Sequence, residues 1–400
     1  MRTRPLSFSL CWLCGLLGAA LALGAESPSW PAIVGEIHGR LESLPAAPAL
    51  QWSLTMMPGE AGLPKLAVRA EGEGTLMEAE IDLLPAAPDA LRWRLKTVEL
   101  DLARWSEALA AQLPALAGAT LGGRVRVSGE GEWRDGQLSG RVLARLAEGR
   151  FDVPAKKFTL EGLELAVQLD DLAARRTAPA QVFTLRGGHY DTITLGAARV
   201  VFALDGDKVQ VAEAVLEALG GRLILAPFTV GLANPDLTVA ARAEQIDVTL
   251  LLPLLPPILA EAHGRLDGDL AFHRDANGEL QIASARLGLR PETTAELRFL
   301  PSPGLLTGSL PPRVLQYYPG LIKIETGEMP MRADRLEVHV TPSGDTEGHS
   351  ATVHLEGGPV DPSLHTPLVF DLNVNGSLEA VAPLLMKLGG ASKLSVGSEK

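Results

Sequence analysis

Residues 237–289 read LTVAARAEQIDVTLLLPLLPPILAEAHGRLDGDLAFHRDANGELQIASARLGL. The stretch opens with an alternating strand that ends at Asp247. A short apolar helix follows over 248–260, broken by Pro253, Pro256 and Pro257. Then come Gly264-Arg265-Leu266-Asp267-Gly268 and two further strands around the turn Asn277-Gly278. A degenerate copy lies upstream at 91–146, LRWRLKTVELDLARWSEALAAQLPALAGATLGGRVRVSGEGEWRDGQLSGRVLARL. There the strand ends at Asp101. Leu102, Trp105, Leu109 and Leu113 follow at helical spacing, then Gly123-Arg124 and the turn Asp135-Gly136. A third, partial copy opens at Val369 and leads into a helix over 378–388. Internal repeats decide the fold before any single residue does.

The polar residues of the repeat are structural devices. Asp101 and Asp247 stand where a helix N-cap would accept backbone N–H bonds. The glycines after each helix permit the tight re-entry into a sheet. Asn277-Gly278 and Asp135-Gly136 suit two-residue hairpin turns.

Outside the repeat, alternation with period two persists. LQWSLTM, KLAVRAEG, TLMEAEIDLL, FTLEGLELAVQLDDL, QVFTLRG, TITLGAARVVFALDG, VQVAEAVLEALG and GRLILAPFTVGL are strand-length runs bounded by Gly, Pro or Asp. Residues 290–320 are Pro-rich and irregular, and GLIKIETGEMPMRADRLEVHVTP is expected to resume strands. About 20–25 strands without βαβ alternation exclude a Rossmann fold or a TIM barrel. The expected fold class is mainly β: a long twisted antiparallel β-sheet, or groove, with a few short helices. Stacked at about 4.8 Å per strand, such a sheet reaches on the order of 100 Å. In 199–205 Val200, Phe202 and Leu204 alternate with Val201 and Ala203, and in 221–232 Ile224, Phe228 and Val230 alternate with Leu223 and Leu225. Strands apolar on both sides need a cover for each. Val200, Phe202, Leu204, Ile224, Phe228 and Val230 are therefore the candidate residues of an apolar binding face.

Composition agrees with that picture. Hydrophobic residues make up 46% but aromatic ones only 4%, and the net charge is −12. The apolar content is aliphatic, and no basic patch invites nucleic acid. Cys11 and Cys14 are the two cysteines, and both lie in the apolar run 6–25 behind Arg2 and Arg4. That context is a signal peptide or a membrane anchor rather than a redox or metal pair. Either places the rest of the chain outside the cytoplasm. The expected divisions are the export segment at 1–25, a linker with a helical lead-in at 26–48, an N-terminal β-groove repeat at 49–179, a C-terminal β-groove domain at 180–388 and a disordered tail at 389–400.

No catalytic constellation is visible. His339, His349, His354 and His365 lack metal-ligand spacing. Gly188-His189-Tyr190-Asp191 is a turn before it is a His/Asp pair, and there is neither a Gly-x-Ser-x-Gly elbow nor a phosphate loop. No cofactor, metal or enzyme activity is expected.

The run Leu219-Gly-Gly-Arg-Leu-Ile-Leu-Ala-Pro-Phe228, the leucine-rich helix, Gly264-Arg-Leu-Asp-Gly268, Asn277-Gly278, Glu296-Leu-Arg-Phe299 and the segment 324–388 resemble the YdbH-like family. That family carries a C-terminal domain catalogued as "dicarboxylate transport" and belongs to the AsmA-like superfamily with TamB. The resemblance covers about residues 180–388, is weaker upstream, and the chain is short for the family. It implies a taco-shaped β-groove in the cell envelope. Phospholipid acyl chains would slide along it between inner and outer membranes, with a small outer-membrane lipoprotein as a further partner. Two other readings stand beside it. One is an envelope scaffold that assists outer-membrane assembly through open sheet edges. The other is a polysaccharide-acting enzyme, which the scattered tryptophans do not favour.

Overall fold

The computed structural model describes residues 35–41, 48–59, 63–83, 90–113, 116–135, 137–191, 193–231, 237–252, 258–274, 280–308, 311–341, 349–364 and 368–375. The export segment, the Asn277-Gly278 turn, Gly136, His365, the helix expected over 378–388 and the tail lie outside them. The chain forms two compact units, 1–191 with 199–210, and 192–198 with 211–400. It is mainly β, with 23 strands among the described residues, antiparallel pairing and a few short helices.

The first unit is a meander. Strands β1 (Gly35–Leu41), β2 (Leu50–Pro58), β3 (Pro64–Gly72), β4 (Thr75–Leu83) and β5 (Leu91–Asp101) pair in sequence order. Helix α1 (Leu102–Gln112) interrupts them, and β6 (Thr120–Arg134), β7 (Gln137–Val153) and β8 (Phe158–Asp171) continue. The short strands β9 (Arg176–Thr177), β10 (Gln181–Leu185) and β11 (Gly187–Tyr190) all pair with β8. Strands β12 (Ile193–Asp205) and β13 (Lys208–Ala218) each contribute to both units.

In the second unit β14 (Gly221–Leu225) lies between β13 and β16 (Leu237–Asp247), and β15 (Phe228–Gly231) follows β14 in the chain. Helix α2 (Val248–Leu251) and β17 (Leu259–His263) follow β16, whose own neighbour is β18 (Arg265–Arg274). Then come β19 (Leu280–Leu289), β20 (Ala295–Phe299), α3 (Pro312–Leu315), α4 (Pro319–Glu325), β21 (Met331–Val340), β22 (His349–Pro359) and β23 (Leu368–Asn375).

Three expectations are corrected. Residues 259 and 260 do not end the helix expected over 248–260: they belong to β17, which pairs with β20, Ala262 opposite Leu297 and His263 opposite Glu296. A remote strand offers backbone partners that local propensity cannot foresee. Residues 35–41 form a strand on β2 rather than a helical lead-in. Residues 319–325 form a helix rather than a strand. Pro319 suits its first turn, and the pair Leu321 and Ile324, three residues apart, is buried together.

Both aspartates of the repeat cap their helices as expected. The Asp101 carboxylate accepts from Ala103 N at 3.0 Å and that of Asp247 from Thr249 N at 2.9 Å. Each returning arginine pairs beside its aspartate, Arg124 opposite Asp101 and Arg265 opposite Asp247. Arg265 also donates to Gly220 O at 2.6 Å and Gln245 O at 2.9 Å. Ahead of each copy a turn glycine (Gly74, Gly220) at φ +70° lies against the aspartate Cβ, where a side chain would be strained and crowded.

The main core belongs to the second unit. Leu266, Leu297, Phe299, Ile324, Met331, Ala333, Leu336 and Leu355 are buried together, with Leu251, Leu305, Leu306 and Phe370 packed against them. The carboxylate of Glu325 fastens the 302–308 segment over this core. Glu325 is only 4% exposed. It accepts from Leu306 N and Thr307 N at 3.0 Å each and from the Thr307 hydroxyl at 2.7 Å. Burial pushes its pKa up, but these donors outweigh burial and hold the carboxyl below its usual range. Glu325→Ala is expected to cost about 1–3 kcal/mol, because two backbone donors lose their acceptor. A depressed folded pKa stabilises above the ordinary carboxyl range and stops doing so as pH falls through the lowered value. The stability difference between wild type and Glu325→Ala should therefore shrink below about pH 4. Equal differences at pH 7 and pH 3, read by thermal unfolding, would contradict this.

Candidate functional site

Cross-strand neighbours in an antiparallel ladder share a face. Following them shows one apolar and one charged face in each unit, so most strands are not apolar on both sides as the sequence suggested. In the first unit Trp52, Ala70, Met77, Val98, Val127, Ala144 and Val167 form one continuous row across seven strands. A second row runs Leu54, Val68, Ala79, Leu95, Gly129, Val142 and Leu169. Six steps of about 4.8 Å make each row about 29 Å long, close to the ~30 Å hydrocarbon thickness of a bilayer.

The reverse face alternates charge. Lys65 and Lys96 both bind Glu80, at 2.8 and 2.5 Å, Arg69 binds Glu78 at 2.7 Å and Arg126 binds Glu99 at 2.7 Å. Hydrogen bonds from Lys65 and then Lys96 hold the Glu80 carboxyl below its usual range. Opposite charges on neighbouring strands fix this face in water and leave the other face as the apolar one.

The second unit repeats the arrangement. Leu216, Leu223, Ala243, Gly268, Leu287, Val338 and Val353 form one row, and Ala214, Leu225, Ala241, Leu270, Ala285, Val340 and Ala351 the next. The interleaved row on the reverse face reads Val215, Ile224, Arg242, Asp269, Arg286, His339 and Thr352.

The apolar faces are unevenly covered. In the first unit Leu66, Val68, Ala70, Ile81, Leu91 and Trp93 are buried, whereas Val98, Val127, Ala144 and Val167 are only half-buried. Helix α1 packs beside β6 and its Trp105 indole donates to the Thr75 hydroxyl at 2.7 Å. In the second unit Ala241, Ala243 and Ala285 are buried, while Leu223, Leu270, Leu287, Val338 and Val353 are half-buried.

A pair of glycines shapes the first unit's face. Gly131 and Gly140 stand opposite each other, and the Trp93 ring lies over both while its Nε1 donates to Ser139 O at 3.3 Å. A Cβ at Gly131 would collide with Ser139 O and Trp93. Gly131→Val is expected to destabilise the first unit by about 1–3 kcal/mol through overpacking. Denaturant titration reads it, and a neutral result would mean that both the Trp93 ring and the Ser139 backbone can move aside.

The sequence candidates divide. Val200, Phe202 and Leu204 share the face of β12 opposite Arg199 and Asp205. Asp205 is paired there with Arg176 at 3.3 Å, and Leu204 N donates to the hydroxyl of buried Thr177. All three candidates are half-buried in β12 of the first unit. Ile224 falls on the charged face beside Arg242, because its register partners are Val215 and Arg242. The apolar-face residues of that strand are its neighbours Leu223 and Leu225. Phe228 and Val230 are half-buried in β15 of the second unit. Sequence reading missed the rows through Val127 and Leu287. Their signal was the charge between apolar positions, as in Arg124-Val125-Arg126-Val127.

The polar clusters among the described residues are ion pairs and cross-strand pairs. Asp191 is held by Lys157 at 2.7 Å, while His189 stands opposite Thr159. His354 bridges Asp371 at 2.6 Å and Glu356 at 2.7 Å on the charged face, and first Glu356, then Asp371, pushes its pKa up. Among the described residues no group of three His, Cys, Asp or Glu is arranged to hold a metal ion. Among them also no helix is long and apolar enough to cross a membrane.

A family model described as YdbH-like, intermembrane phospholipid transport protein YdbH, matches residues 19–293. The match takes in the upstream copy of the repeat and stops short of 324–388. Curated protein sequences and solved structures give no match.

Proposed function

The chain belongs to the YdbH-like intermembrane phospholipid transport family, and from that premise we propose that it carries phospholipids across the periplasm, non-enzymatically, along its apolar sheet faces. The observation that carries this reading is the uninterrupted apolar rows, seven strands wide and partly exposed over much of their length, backed by charge on the reverse face. Acyl chains lying on such a row gain about 0.8 kcal/mol for each CH₂ removed from water. Headgroups stay at the wet margin. A row of similar aliphatic side chains offers no deep well, so a lipid held along it can also slide. Val200, Phe202, Leu204, Phe228 and Val230, with Leu223 and Leu225 in place of Ile224, are the proposed acyl contacts beside the rows through Val127 and Leu287. Residues 6–25 export the chain or anchor it in the inner membrane, and the outer membrane is the far terminus.

Protein purified from a lipid-containing host should carry phospholipid detectable by mass spectrometry after native extraction. Lipid-free protein that also fails to accept fluorescent phospholipid from vesicles would sink the proposal. Crosslinks that trap an outer-membrane barrel protein instead of lipid would favour the scaffold reading.

A further inference from the structure

Large apolar side chains are scarce on the surface, yet five of the eleven that are exposed among the described residues lie on helix α4 of the second unit or on the segments that adjoin it. They are Leu300, Tyr317, Tyr318, Ile322 and Val360. Their backbone places them together. Ser302 N donates to Glu325 O, Leu321 N to Tyr318 O and Met329 N to Lys323 O, while Val360 N donates to the adjoining Pro330 O. Helix α4 packs on β20 and β22. The chain has three tyrosines in all, and two of them are adjacent here, Tyr317 being 75% exposed.

This tip is seated, not loose. Ile324 is fully buried in the main core, Leu321 is buried beside it, and Glu325 binds the neighbouring 306–307 backbone. The helix therefore spends one face on the core and presents the other outward. That core is also where the second unit's apolar face ends, since Met331, Leu336 and Leu355 belong to both.

Charge follows the same pattern. In a chain of net charge −12, residues 297–324 hold no Asp or Glu but hold Arg298, Arg313 and Lys323. Arg298 is paired with Glu261 at 3.2 Å, and Asp361 lies near Lys323, so Arg313 is the main cation of the tip. Exposed tyrosines and an aliphatic side chain beside a cation are what the headgroup layer of a bilayer accepts, aromatic rings at the interface and the cation among phosphates.

We propose that this tip, Leu300, Arg313, Tyr317, Tyr318 and Ile322, docks into the headgroup layer of a phospholipid bilayer and sets the end of the second unit's apolar face against it. The purpose of the docking rests on the transport reading, but its test does not. In the full chain with Cys11→Ser and Cys14→Ser, Tyr317→Cys carries an environment-sensitive NBD label. Adding vesicles of phosphatidylcholine with phosphatidylglycerol should raise its emission severalfold and shift it to the blue. The same label at Ser284→Cys, on the charged face of the same unit, should not respond. Arg313→Glu should weaken the response to phosphatidylglycerol-containing vesicles, and Tyr318→Ser with Ile322→Ser should remove it. An unchanged Tyr317→Cys signal in protein that still co-purifies with phospholipid overturns the docking alone. A full response in protein that neither holds nor accepts phospholipid supports docking while overturning transport. A photocrosslinker at position 317 that captures only protein, with no vesicle response, also overturns the docking.

Discussion

Leu223→Glu is expected to lower lipid occupancy and transfer by about 100-fold or more, whereas Ile224→Glu, at the next residue, should leave most of both. The two side chains have nearly equal apolarity and lie in the same five-residue strand. They differ in their cross-strand partners. Leu223 stands between Leu216 and Ala243, in a row that continues through Leu287 and Val338. Ile224 stands between Val215 and Arg242, in a row that continues through Asp269 and Arg286. A carboxylate in the first row meets hydrocarbon, at a cost of about 3 kcal/mol or more against passing acyl chains. In the second row it meets Arg242 and water. Val127→Glu in the first unit and Phe202→Glu on β12 should behave like Leu223→Glu. Circular dichroism and the unfolding midpoint check that the sheet persists. Equal transfer by Leu223→Glu and Ile224→Glu would show that the apolar rows are not the lipid path.

The largest loss of stability is expected from the main core. Leu297 and Met331 face each other across β20 and β21, and both are essentially inaccessible. Truncating either to Ala removes apolar contacts and leaves a cavity that a paired sheet cannot collapse to fill. The cost is about 2–5 kcal/mol for each. They touch the same neighbours, so the double variant should depart from additivity. A domain's whole stability is about 5–15 kcal/mol, so the double variant should leave the second unit largely unfolded at 37 °C. The first unit's core, built on Leu66, Ile81 and Leu91, shares none of these residues. Hydrogen exchange should therefore show protection lost in residues 259–375 before residues 64–100. Protection lost in both regions together would mean that the two units unfold as one.

Much of this molecule was legible in one dimension. Alternation with period two over most strands, and the Asp101 and Asp247 caps, are local signals that led to the right elements. Helix α2 and its surroundings show where local signals fail. Leu259 to His263 had apolar, helix-compatible neighbours, and its strand partners, Phe299 to Glu296, lie in a Pro-flanked stretch that looked irregular. Neither segment is a convincing strand until the other is beside it. The helix at Pro319–Glu325 failed for the opposite reason: its alternation imitated a strand while the pair Leu321 and Ile324 carried the burial.

The same division holds for the functional face. Sequence by itself determined an aliphatic, mainly β chain built from a repeated strand–helix–strand module. Strand periodicity and turn chemistry act over a few residues and survive in any register. Which face of each strand became apolar in the folded protein was decided by the tertiary structure. Runs such as Arg222-Leu-Ile-Leu225 are apolar on both sides locally, and only the pairing with Ala241, Arg242 and Ala243 sorts Leu223 and Leu225 from Ile224. A register shift of one residue would exchange the two faces. That register is set by contacts between residues far apart in the chain, which no local pattern specifies.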